Sequence, residues 1–387
     1  MTIVTATWSY PTQIRSGVGR VVEIADACVE AAIAKPLIVT DPGLVDLPPV
    51  QSIVSLLGDA GVEYGLFSDL RPNPTGRDVE AGTDMFRRGD HDGVIAIGGG
   101  SALDVGKVVA FHAGQSRPLW DFEDVADRWT RADPAAIAPI IAVPTTAGTG
   151  SEVGRAGLII DETQRRKVIV FHPKMLPTIV IADPELTVGL PRTLTVGTGI
   201  DALSHSLEAI CSPAHHPMSH GIGMEGCRLV LEHLPVAVDS PGDLEARGQM
   251  LTAAGMGAVA FQKGLGAMHA LAHPIGASFD THHGMTNATL MPYVLVANRA
   301  AIESTIEQLA AYTGIAGGFD GFLHHIMAMR ASMDVPDTLV ELGVDAAAVE
   351  AIAAAAIDDP SAATNPIPVD RAFAAQIFEA ACAGQLD

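Results

Sequence analysis

An α/β N-terminal domain with a parallel sheet, followed by an all-α C-terminal domain, is the fold this sequence predicts. Three observations support it. Up to about residue 187, short apolar runs alternate with amphipathic stretches. Several of those runs lack the polar/apolar alternation of a half-exposed strand, which suits strands covered on both faces. From about residue 188 onward the text becomes Ala-, Leu- and Met-rich with helical spacing and few β-branched runs.

The expected strands of the first domain, residues 1–187, are Leu37–Thr40, Tyr64–Phe67, Val94–Ile97, Ile140–Val143, Leu158–Ile160, Val168–Phe171 and Ile179–Ala182. Amphipathic stretches such as Val50–Ala60 and Asp78–Arg88 lie between them, the alternation of a doubly wound sheet. In the second domain, residues 188–387, the expected helices are Leu194–Ser212, Ser219–Val238, Leu244–Gly257, Met268–Ala272, Ala288–Thr313, Gly318–Met329, Val344–Ala356 and Arg371–Ala383.

Composition narrows the partners. The chain has 387 residues, and 23 Lys plus Arg against 45 Asp plus Glu give a formal net charge of -22. Such a surface repels phosphate backbones and anionic headgroups, so no nucleic-acid or membrane partner is expected. The opening residues show no basic region followed by an apolar one, and no apolar run elsewhere is long enough to span a bilayer. A cytoplasmic protein is expected. Cys28, Cys211, Cys227 and Cys382 are far apart with no CxxC pair and read as plain buried thiols.

Two loops follow predicted strands and are built to meet a ligand. Gly98-Gly99-Gly100-Ser101 runs from a strand into a helix that carries Asp104 and Lys107. Glycines allow the backbone a sharp turn and a close approach, and the free N–H groups of a helix start attract phosphate. A pyrophosphate is the expected ligand, although a ligand-free strand-to-helix turn uses the same residues. Pro144-Thr145-Thr146-Ala147-Gly148-Thr149-Gly150-Ser151-Glu152 is a second loop of this kind. Asp41, at the end of another strand, suits either the ribose hydroxyls of an adenosine or the capping of its own turn at Pro42-Gly43.

The 14 histidines suggest a metal. Asp201 and His205 are four apart on one helical face, as are His269 and His273, and His282-His283 form a third segment. Neutral imidazoles with one carboxylate would leave a divalent ion with net positive charge, able to polarise a carbonyl or lower the pKa of an alcohol. Without thiolates, Fe(II) and Zn(II) are the candidates.

Taken together, Gly98-Gly-Gly-Ser101-x-x-Asp104-x-x-Lys107, the Pro144–Glu152 loop, Gly199-x-Asp201-x-x-x-His205, and His269-Ala-x-Ala-His273-Pro with His283-Gly284 resemble the iron-containing (group III) alcohol dehydrogenases. The match runs in order from Ser16 to Pro292. The resemblance implies a dehydroquinate synthase-like architecture, a dinucleotide-binding N-terminal domain and a metal-binding C-terminal one. It implies metal ligands Asp201, His205, His269 and His283, with His273 as the catalytic, non-ligand histidine. Cofactor contacts carried over are Asp41, Asn73, Gly98, Gly99, Gly100, Ser101, Asp104, Thr145, Thr146, Lys167 and Leu186. An acid at Asp41 implies NAD, because a carboxylate repels the 2′-phosphate of NADP.

The expected reaction is hydride transfer between nicotinamide and a small primary alcohol or aldehyde, in a homodimer or larger homo-oligomer. A dehydroquinate synthase-like lyase and a metal-free maleylacetate reductase-like enzyme on the same fold are the rivals, ahead of a non-enzymatic regulator. One departure from the family pattern lies at Lys263-Gly264, where small polar residues are usual. That lysine reads either as a contact for an anionic aldehyde or as a solvated surface residue, and Arg155 has the same ambiguity. The last ninety or so residues add only helical texture.

Overall fold

The computed structural model describes residues 12–164 and 166–386; of the N-terminal stretch read above for a leader, residues 1–17, the first eleven lie outside them. The chain separates into two compact units, one ending at Leu190 and one beginning at Pro191.

The first unit contains β1 (Gln13–Ser16), α1 (Ile24–Glu30), β2 (Pro36–Val39), α2 (Pro48–Asp59), β3 (Gly65–Phe67), α3 (Gly76–Arg88), β4 (Gly93–Gly98), α4 (Gly100–His112), β5 (Ile140–Pro144), β6 (Ala156–Asp161), β7 (Arg166–Phe171) and β8 (Ile179–Ala182). Six strands form a sheet in the order β1-β8-β5-β4-β2-β3, and every pairing in it is parallel. β2, β4, β5 and β8 are buried along their whole length. Their continuous apolar runs are what a strand with both faces covered requires. One face packs on a core that includes Ile24, Ile38, Ile53, Leu57, Ile95, Ile141 and Ile181.

Two strand expectations change. β6 and β7 leave the parallel sheet and pair with each other, antiparallel, with Ile160 opposite Lys167. Their alternating burial explains why, since only one face of this ribbon is covered. β1 escaped the sequence reading because Gln-Ile-Arg-Ser carries no apolar run. It is an edge strand whose one buried residue is Arg15, ion-paired with Glu23 at 3.3 Å and with Glu30.

The second unit contains α5 (Arg192–Cys211), α6 (Pro217–Asp239), α7 (Leu244–Ala260), α8 (Ala267–Phe279), α9 (His283–Thr313), α10 (Gly318–Ser332), α11 (Val349–Ile357) and α12 (Arg371–Ala383). Among the described residues it holds no strand. α5 is buried from Thr195 almost without break to Ile210, the mark of a helix surrounded by others. Close approach depends on missing side chains: a Cβ on Gly284 would stand 2.1 Å from the carbonyl oxygen of Gly197. Only glycine lets the start of α9 dock on α5 at that point. Among the described residues, no helix is long and apolar enough to cross a membrane.

Candidate metal centre and nucleotide loops

In the first unit the parallel register sets the C-terminal ends of β2, β4 and β5 side by side, with Gly98 opposite Pro144. Ligands of open α/β sheets bind at that end. The backbone N–H of Thr145 donates to the carbonyl of Gly98 at 3.0 Å, joining the two loops. Gly98 has φ +144°, a conformation that L side chains rarely adopt. A Cβ on Gly98 would lie 2.7 Å from Cβ of Ala102 and 3.3 Å from a carboxylate oxygen of Asp41, and one on Gly100 would lie 2.6 Å from Thr149. Asp41, Gly98–Gly100 and Thr146–Thr149 are therefore one packed constellation.

No side chain caps the start of α4 at Gly99, which leaves its first N–H groups for an anion. This glycine cradle fits the pyrophosphate that the sequence suggests. Asp41 serves its own turn as well: the Gly43 and Leu44 amides bond to it and favour its charge, while burial works the other way and pushes the carboxyl up.

The remaining predicted cofactor residues divide. The Ser101 hydroxyl donates to the carbonyl of Pro72, tying α4 to the loop that carries Asn73. The Ile160 amide donates to Pro74 at 2.8 Å, so the ribbon bearing Lys167 is stitched to the same loop. Thr145 is buried beside half-buried Thr146. Both oxygens of Asp104 are engaged within the unit, accepting from the Ser151 hydroxyl at 2.5 Å and the Leu158 amide at 3.0 Å. Lys107 is buried with Nζ 3.2 Å from Asp104 and 3.0 Å from the Ser151 carbonyl. Leu186 lies in the core cluster packed on one face of the sheet.

In the second unit, helical spacing does what the sequence suggests. Asp201 and His205 lie on α5, His269 and His273 on α8, and His283 opens α9. Asp201, His205 and His269 form one buried group whose ligand atoms all lie within 4.8 Å of one another. His283 adjoins this group. The Nε2 atoms of His205, His269 and His283 lie 4.0, 3.9 and 3.6 Å from the same oxygen, Oδ1 of Asp201. Donors around one tetrahedral ion with bonds of about 2.1 Å stand about 3.4 Å apart; Asp201, His205 and His269 offer the donor types and proximity a divalent cation needs, and His283 approaches that set through Asp201.

Electrostatics agree with that fit. Burial opposes the Asp201 charge, but His205, His283, His269 and the Asn287 amide together hold its carboxyl far below the usual range. Burial likewise disfavours a charged His269, and Glu208 and Asp201 outweigh it, raising the imidazole pKa.

Three partners of this cluster were missed in the sequence. Glu208, seven residues after Asp201 and on the same helix, accepts from Nδ1 of His269 at 2.7 Å and from the Met268 amide at 2.7 Å. Asn287, four residues after His283, donates from Nδ2 to Asp201 Oδ1 at 2.8 Å and stands 3.2 and 3.3 Å from Nε2 of His283 and His269. Its Nδ2 thus stands among the candidate ligand atoms, while its own Oδ1 is buried with no hydrogen-bond partner in the structure. Asp359 pairs with His273, Nδ1 to Oδ2, at 2.8 Å. The C-terminal residues, expected to add only helical texture, thus supply part of the centre's surroundings. His273 also stacks on His283, with ring centroids 5.3 Å apart and planes 10° from parallel.

Neither expectation for Lys263 holds. It is buried, and its Nζ donates to the carbonyls of Ala209 at 2.9 Å, Ile210 at 3.0 Å and Ser212, closing the C-terminus of α5. The ammonium serves the helix end, where carbonyls lack partners and the dipole is negative. Arg155 is half-buried with its guanidinium 5.6 Å from the Phe171 ring centroid. His282 and His216 accept from the Met285 and Ser219 amides and so cap α9 and α6.

Comparison with known proteins agrees with both units. The family model described as Iron-containing alcohol dehydrogenase matches residues 11–184, and that described as Fe-containing alcohol dehydrogenase family, C-terminal, matches residues 195–382. A 4-hydroxybutyrate dehydrogenase of Cupriavidus necator is 34% identical over 367 residues, 92% of this chain and 94% of that protein. The crystal structure of a 1,3-propanediol oxidoreductase is similar with a TM-score of 0.92 at 31% identity, covering 97% of this chain and 100% of the other. That of sulfoacetaldehyde reductase from Bifidobacterium kashiwanohense, in complex with NAD+, gives 0.88 at 27% identity, covering 97% and 99%.

Proposed function

The chain belongs to the iron-containing alcohol dehydrogenase family, and from that premise we propose how this metal-dependent alcohol dehydrogenase uses its residues. Asp201, His205, His269 and His283 hold one Fe(II), with Zn(II) as the alternative. NAD is the acceptor, bound by Asp41, Asn73, Gly98–Gly100, Ser101, Thr145, Thr146 and Lys167. Asp104 and Leu186 act one step back, Asp104 by fixing the Ser151 loop and Leu186 by filling the core beneath. Nucleotide binding falls to residues 1–187 and metal binding to 188–387. The substrate is a small primary alcohol or aldehyde, and buried Lys263 supplies no argument for a negatively charged one.

A metal held there would supply polarisation of the alcohol or carbonyl oxygen, and a bound nicotinamide would supply the hydride acceptor or donor. The chain's own contribution starts with Asp201, the one carboxylate among the proposed ligands, so that a dication held by them would keep a single net positive charge within its ligand set. Glu208, as acceptor from Nδ1 of His269, leaves that ring's Nε2 lone pair directed at the cluster. His273 takes the alcohol proton in oxidation and returns it in reduction. The four free cysteines suit a reducing cytoplasm, and the working form is a homodimer or larger homo-oligomer.

The convergence of three imidazole Nε2 atoms on Asp201 Oδ1 is the observation that carries this reading. Its test is an anaerobic screen of the Fe(II)-loaded protein with NAD or NADP against primary alcohols, diols and ω-hydroxy acids. NADH formation with one of these classes supports it. Equal turnover in a rigorously metal-free preparation overturns it.

A further inference from the structure

The segment after α11 is fastened at three places to α8 and the residues just before it. Asp359 meets Nδ1 of His273 at 2.8 Å. The Thr364 hydroxyl donates to the carbonyl of Leu265 at 2.8 Å. Asn365 accepts from the Ala267 amide at 3.0 Å. Asp359 is itself held, because its other oxygen accepts from the Ser361 amide at 2.8 Å at the start of the 3₁₀ turn Pro360–Thr364. The pair is well shielded, with side chains 16% and 12% exposed, so solvent screens it far less than a surface ion pair. His273 is fixed from the other side by its stacking on His283.

We propose that Asp359 is the positioning residue of His273: it accepts the Nδ1 proton, sets the ring plane together with His283, and leaves Nε2 as the basic nitrogen. A neutral imidazole has one donor and one acceptor nitrogen, and a carboxylate can only accept. A His273 whose Nδ1 faced solvent would sample both tautomers and several ring rotations. The pairing removes that freedom before an alcohol arrives, as second partners of metal-bound histidines do for their ligands. The inference rests on the reading of His273 as the proton-handling residue.

The test is a double-mutant cycle on the metal-loaded full chain with Asp359→Asn, His273→Ala and the double variant. Asn retains the capping of the 3₁₀ turn while removing the charge, so the fold survives it. Asp359→Asn should lower kcat by about tenfold or more. The alcohol KM, NADH affinity by fluorescence titration, and bound metal per chain should change less than about twofold. In the His273→Ala background the same substitution should leave kcat within about twofold, because the group it serves is gone. An undiminished kcat in Asp359→Asn, or a second loss that multiplies the first in the double variant, overturns the inference and leaves the His273 reading standing. An undiminished kcat in His273→Ala overturns both.

Discussion

Glu208 and His269 are joined at 2.7 Å, carboxylate to Nδ1, while the second oxygen of Glu208 receives the Met268 amide at 2.7 Å. One buried carboxylate thus orients an imidazole and caps the helix that carries it. Glu208→Gln offers one acceptor oxygen where two are needed, so either the ring or the helix start loses its partner. Metal affinity should fall by about 10- to 100-fold, measured by competition against a chromogenic chelator. An unchanged affinity would mean that Glu208 serves the helix alone.

Asp41 stands within contact distance of the glycine loop, where a Cβ on Gly98 would be 3.3 Å from its carboxylate. A 2′-phosphate placed there would face a like charge, which costs several kcal/mol at a packed interface. Asp41→Ser should raise the NADP-to-NAD ratio of kcat/KM by about tenfold or more. Steady-state kinetics with both cofactors decide it, and an unaltered ratio removes Asp41 from the ribose site.

Lys263 offers a stability prediction in place of a specificity one. Three carbonyls at the end of α5 receive its ammonium. Lys263→Met should lower unfolding stability by on the order of 3 kcal/mol, since buried carbonyls lose their donor. The KM for alcohol should stay within about twofold of wild type, because Nζ is occupied at the helix end. Urea denaturation and substrate kinetics measure the two effects separately. A raised KM without lost stability would return Lys263 to the substrate site.

Glu152 predicts a pH dependence. It is 5% exposed, and burial pushes its carboxyl up to about 7, against the smaller pull of Lys107. Below about pH 4.5 both folded and unfolded chains hold the proton. As pH rises toward 7 the unfolded chain releases it first, so folding stability falls by up to about 3 kcal/mol and then levels. Glu152→Gln should therefore gain on wild type at pH 8 and not at pH 4.5, read from urea midpoints. Parallel pH profiles for the two proteins would contradict the assignment.

Much of this was legible in the chain because it depends on local periodicity. The buried strands β2, β4, β5 and β8 are continuous apolar runs, and the metal cluster together with its neighbour His273 rests on residues four apart on α5 and α8. Glu208 and Asn287 lie one helical turn beyond His205 and His283, three and four residues on, and were legible in principle. Asp359 was not, since its partner lies 86 residues away and the turn that presents it has no periodic pattern. Lys263 shows the complementary limit: spacing places a lysine at a helix end but does not say whose carbonyls it will reach. β1 went unseen because its place at the sheet edge asks little apolar character of it.

The most direct test of the central claim is an anaerobic titration of metal-stripped protein with Fe(II), following bound metal and NADH formation in the same samples. The account predicts that activity rises in proportion to occupancy, saturates at one ion per chain, and that His269→Ala shows neither binding nor turnover. Turnover that is complete before any metal is added, or that persists in His269→Ala, would contradict it.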